Sequence, residues 1–105
     1  MKENVRDVAG EAVLERLARL PIFEWNYTSQ NPRIRHMGPT AQDFRAAFGL
    51  GESDRHIDTI DADGVALAAA RALAERAAAL EATAEALERA NDSLREASDA
   101  MAHGN

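Results

Sequence analysis

Residues 65–101 read VALAAARALAERAAALEATAEALERANDSLREASDAM, and this stretch decides how the rest of the chain must be organised. Leu73, Leu80, Leu87, Leu94 and Met101 recur every seven residues, and Ala70, Ala77, Ala84, Asn91 and Ser98 form a second series with the same spacing. With the leucines at d the second series falls at a, the pattern of a coiled coil. No Pro or Gly interrupts residues 65–103, and 17 of the 41 residues from 62 to 102 are Ala, the strongest helix former. One continuous helix of these 37 residues spans roughly 55 Å. A stripe of that length is too long to be buried by the residues that precede it. The chain is therefore expected to associate, with the stripe as its interface.

Composition narrows the classes. The chain has 105 residues and no Cys, which excludes disulfides and thiolate metal sites. No apolar run approaches the length of a membrane span, and the N-terminus, Met-Lys-Glu-Asn, lacks the features of a signal peptide. The net charge of −6 is uneven: residues 1–60 carry 8 Lys/Arg and 9 Asp/Glu, whereas residues 61–105 carry 4 and 9. An acidic helix argues against nucleic acid or an anionic membrane as the main partner.

Upstream of the heptads the pattern is mixed. Val13, Leu14, Leu17 and Leu20 share one helical face, so a helix is predicted from about Asp7 or Gly10 to Leu20, stopped by Pro21. Ile22 to Tyr27 alternates with Phe23, Trp25 and Tyr27 on one side, which predicts a half-buried strand. Ser29-Gln30-Asn31-Pro32 supplies a turn, and Arg33 to Met37 reads as the return strand. Thr40 with Asp43 three residues on predicts a capped helix with Ala41, Phe44, Ala47 and Phe48 on its apolar face, ended by Gly49 or Gly51. His56 to Ile60 is read as a short strand, with Asp61 or Asp63 capping the long helix. The expected architecture is α+β: a head over residues 1–60 (helix, β-hairpin, short helix, short strand) and a C-terminal coiled-coil stalk over residues 61–105, together one functional unit.

The order Lys2-Glu3-Asn4-Val5, Phe23-Glu24-Trp25, Arg35-His36-Met37-Gly38-Pro39-Thr40-Ala41-Gln42-Asp43-Phe44, then an Asp-rich turn into a heptad helix, resembles the C-terminal intramolecular chaperone domain of endosialidases and phage tail fibres. Related domains occur in phage neck appendages and myelin regulatory factor proteins. The resemblance covers almost the whole chain and rests on Trp25, Arg35, Gly38, Gln42 and Asp43. It implies a homotrimer that brings the upstream fibre or spike portion of the same polypeptide into register in the host cytoplasm during virion assembly. It also implies release of the domain by serine autoproteolysis, with cleavage before a Ser in the pattern Ser-Asp, three residues, Lys. A neutral Lys then activates the hydroxyl.

Lys2 matches that base, and the resemblance places the Ser and Asp upstream of Met1. The chain as it stands is therefore expected not to cleave itself. His36 is the second candidate, as a group that orients or polarises the scissile carbonyl; the alternative is a structural histidine. Gln42 and Asp43 can pin the N-terminal segment, although helix capping accounts equally for Asp43. The trimer interface implied is Leu73, Leu80, Leu87, Asn91, Leu94 and Met101, with Asn91 selecting alignment and oligomer number. The heptads alone leave dimer and trimer open, and the resemblance selects trimer.

Other constellations fail on spacing. Asp58, Asp61 and Asp63 before Gly64 suggest calcium, but an EF-hand register with Gly64 sixth puts Ala70 where a bidentate Glu is required. Ser53, His56 and Asp58 lack a nucleophile elbow. No metal site and no cofactor are expected. The competing reading is a non-proteolytic coiled-coil adaptor that docks a partner protein.

Overall fold

A computed structural model describes residues 1–103. Its elements are α1 (Gly10–Arg19), β1 (Phe23–Trp25), β2 (His36–Gly38), α2 (Ala41–Phe48) and α3 (Thr59–His103). The fold is α+β. The chain divides into two compact units, Met1–Ala72 and Leu73–Asn105.

The first unit is built around Val13, Leu20, Phe44, Val65 and Ala69, with Leu14, Leu17, Ala47, Phe48, Ile57 and Ala68 packed against them. The apolar face of α1 enters this core as its spacing predicts. The helix ends because Leu20 precedes Pro21, which disfavours helical geometry at the residue before it; Leu20 is extended (φ −78°, ψ 118°). Thr40 caps α2 through its side-chain oxygen, which accepts the Asp43 N–H at 3.1 Å. Gly49 closes α2 in the left-handed region (φ 63°), its N–H donating to the Arg45 carbonyl.

The hairpin is shorter than its alternation predicts. Of the six residues Ile22 to Tyr27 only Phe23–Trp25 pair, and the return strand is His36–Gly38 rather than Arg33 to Met37. The reason is local hydrogen bonding in the connection. Gln30 N–H donates to the Tyr27 carbonyl, Ile34 N–H to the Asn31 carbonyl, and Arg33 N–H to Asn31 Oδ1 at 3.0 Å. These turns consume backbone groups that a longer ladder needs. Three antiparallel pairs remain, Phe23 with Gly38, Glu24 with Met37 and Trp25 with His36.

The strand expected at His56 to Ile60 is not formed. Asp58 Oδ1 instead accepts the Ile60 N–H at 3.0 Å, and the Asp58 carbonyl accepts the N–H groups of Asp61 and Ala62. Asp58, not Asp61 or Asp63, is thus the N-cap, and α3 begins at Thr59. Val65, Ala69 and Ala72 of α3 are buried within the first unit.

The second unit consists of the remainder of α3, in which every described residue is exposed. Leu73, Leu80, Leu87, Leu94 and Met101 are 54, 69, 61, 68 and 82 % exposed.

Candidate functional site

The hairpin separates the Arg35-His36 pair onto opposite faces, because side chains alternate along a strand. On one face Arg35 spreads its guanidinium over the facing segment. Nε donates to Glu24 Oε1 at 3.2 Å, Nη1 to Asn26 Oδ1 at 2.8 Å and Nη2 to the Glu24 carbonyl at 3.3 Å. A lysine has no fork to make these three bonds together. Arg35 therefore fixes the registration of the two strands.

On the other face His36 lies opposite Trp25, with ring centroids 5.1 Å apart, and Tyr27 completes the cluster at 4.9 Å from Trp25 and 5.1 Å from His36. His36 Nε2 shares a 3.0 Å hydrogen bond with Gln30 Oε1. These contacts hold His36 by packing and one polar partner. Trp25 Nε1 is shut off from solvent and has no hydrogen-bond acceptor among the described residues.

The rest of the sequence motif is capping and connection. Asp43 contributes its backbone N–H to Thr40, and Gln42 is exposed at the start of α2. A Cβ at Gly38 would meet nothing within 4 Å, so the fold of one chain does not explain a glycine there. Lys2 lies in the exposed segment that precedes α1, and His36 lies on β2. The structure shows no contact that joins them.

The Ser53, His56 and Asp58 group resolves into loop chemistry. Ser53 Oγ accepts the Arg55 N–H at 2.9 Å, and the Asp58 carboxylate caps α3. Among the described residues no group of three His, Asp or Glu side chains is placed to hold a metal ion. Among the described residues no helix is long and apolar enough to cross a membrane.

Two features escaped the sequence reading. Trp25, Tyr27, Met37 and Pro39 join Ile57, Thr59 and Ala62 around a groove of about 470 Å³, which brings the hairpin together with the start of α3. Gly10 sits against Ala72, where its missing side chain matters. Only the second had a signal in the sequence: a glycine opening one helix beside an alanine-rich one.

The described residues thus comprise a small α+β unit and a helix that carries an exposed heptad stripe. Residues 1–49 match the family model described as chaperone of endosialidase, the family that the hairpin and Gly38–Phe44 segments resemble. The match takes in α1, the hairpin and α2, and it ends where α2 closes. No curated protein and no solved structure matches the chain.

Proposed function

We propose that this chain is an intramolecular chaperone and trimerisation domain of a phage or prophage tail-fibre or tailspike protein. The observation that supports it is the conjunction of the family match over residues 1–49 with the uncovered stripe Leu73, Leu80, Leu87, Leu94 and Met101. Three copies associate through the stripe, with Asn91 among the a positions fixing alignment. Joining three chains at one end raises the effective concentration of the segments attached to them, so a fibre portion begins to fold in register.

In a longer parent, a Ser preceding Lys2 is the nucleophile and Lys2 the base that takes the hydroxyl proton as the Ser attacks the peptide carbonyl; the amide nitrogen then leaves with that proton, and water hydrolyses the ester. Cleavage releases the domain and leaves the assembled fibre kinetically trapped. Assembly of this kind takes place in the host cytoplasm.

Light scattering on the purified chain tests the first part. The expected mass is that of a trimer, and a monomer at every concentration overturns the reading. A parent segment carrying Ser-Asp joined ahead of Lys2 tests the second. Cleavage is expected, and Lys2→Ala should abolish it while the trimer persists. Cleavage that survives Lys2→Ala removes this residue from the mechanism. A stable dimer or a complex with another protein would favour the adaptor reading instead.

A further inference from the structure

Counted back in sevens from Leu73, the heptad register assigns Ile60 and Leu67 to e, Ala62 and Ala69 to g, and Val65 and Ala72 to c. Within the first unit α3 buries Val65, Ala69 and Ala72, while Ile60 and Leu67 are 78 and 71 % exposed. The residues packed on α3 thus cover its c and g side and leave the other side open, Asp63, Ala66 and Ala70 at a and d included. We propose that Ile60 and Leu67 of one copy pack against the first unit of the next copy, along the g side where Ala62 and Ala69 lie. This inference rests on the reading that copies associate in parallel through the stripe, and it names the surface by which their first units hold one another.

The geometry of a parallel coiled coil selects that neighbour. With a and d turned inward, e and g border the seam, and g of one helix faces e of the following heptad in the next. Ala62 of one copy is thereby set opposite Leu67 of another, and Ala69 opposite Ala74. The g side already carries its own packed residues: Ala69 belongs to the core, Ala62 is half-buried, and Gly10 of α1 rests on Ala72. The e side of one copy therefore meets the folded unit of its neighbour rather than a bare helix. Around three copies the contact runs from e to g each time, and the ring closes with no e side left over.

The e series changes character where such a neighbour ends. Ile60 and Leu67 lie in the part of α3 that carries the folded unit, Ala74 follows just beyond Ala72, and Glu81, Glu88 and Arg95 occupy e farther along. An e side bordered only by another helix and water is typically charged, as at those three positions. An Ile and a Leu contribute to stability when their apolar area leaves water, which one chain alone does not provide here. The charged flanks agree with parallel order: Arg76 at g is set opposite Glu81 at e, and no such pair brings like charges together.

Alanine distinguishes the two states by sign. At helix positions that stay in water, replacing Ile or Leu by Ala is neutral or stabilising, because Ala is the better helix former. At positions packed on a neighbour the same change removes buried area. The full-length variant Ile60→Ala/Leu67→Ala is expected to unfold its first unit at lower urea than the wild type at equal protein concentration, read by Trp25 emission. A midpoint equal to or above that of the wild type, in an oligomer of unchanged mass, overturns the packing and leaves the association intact.

Cross-linking fixes which surfaces meet. The chain has no cysteine, so Ala62→Cys and Leu67→Cys each place a single thiol on the chain. The two variants are mixed in urea, reassembled and treated with a short bis-maleimide. A covalent pair of one chain of each kind is expected, a shift to double mass on a denaturing gel that neither variant shows alone. Pairs formed by Leu67→Cys alone overturn the assignment, because two e sides then face each other. An oligomer that yields no mixed pair overturns it as well. A monomeric mass overturns the association reading itself, and the packing with it.

Discussion

A Cβ built on Gly10 would stand 2.9 Å from the Cβ of Ala72 and 3.7 Å from its Cα, closer than two methyl groups can pack. The first turn of α1 and α3 are therefore in contact backbone to side chain, with glycine as the spacer. Gly10→Val should force the two helices apart and lower stability by about 1–3 kcal/mol, the usual cost of overpacking. Urea unfolding at fixed protein concentration checks it, as a lower midpoint with unchanged slope. Ala72→Gly in the same chain should restore part of the loss.

The cap at Asp58 makes a second prediction. Asp58→Ala removes the acceptor of the Ile60 N–H and should cost about 1 kcal/mol. Asp58→Asn keeps that acceptor and should cost a few tenths at most, on the order of the Asn–Asp difference at N-caps. Asp61→Ala, one turn in, should have a smaller effect than Asp58→Ala. Equal losses at the two positions would contradict the assignment of the cap.

Phe44 is 5 % exposed and stacks beside Phe48 with centroids 5.1 Å apart. Phe44→Ala should destabilise the first unit by about 3–5 kcal/mol. In circular dichroism the near-ultraviolet signal of the paired Trp25 and Tyr27 rings should disappear first. Helical far-ultraviolet signal from residues beyond Leu73 should remain if the stripe is held by other copies.

Leu87→Asp places a charge in the middle of the exposed stripe and should dissociate the assembly, while the first unit keeps its Trp25 signal. Asn91→Leu should have the opposite thermodynamic sign. Removing a polar group from an a position strengthens association and loosens the choice of oligomer number. Analytical ultracentrifugation reads both, as a monomeric mass for the first and a tighter but mixed population for the second. An unchanged mass for Leu87→Asp would mean the stripe is not the interface.

Arg35 is held by three bonds to Glu24 and Asn26, yet both partners of its ion pair remain about half exposed. Arg35→Lys should therefore cost less than about 1 kcal/mol. Its visible effect should be on the hairpin, as faster exchange of the amides that pair β1 with β2.

What the sequence determined by itself was everything that depends on spacing along one element. The heptads placed α3, the i, i+3, i+4 apolar series placed α1 and its buried face, and Thr40 with Asp43 placed the start of α2, whose end was narrowed to Gly49 or Gly51. The residues of the family signature were legible for the same reason, since a motif is a local order of residue types. What only the tertiary structure decided came from competition between local and longer-range hydrogen bonds. The Asn31 turns shortened the hairpin, and the Asp58 carboxylate drew residues 59 and 60 into α3. Tertiary packing also set the Gly10–Ala72 contact and the groove beside Trp25. These are meetings between residues distant in sequence, where no period along the chain records how close two surfaces will come.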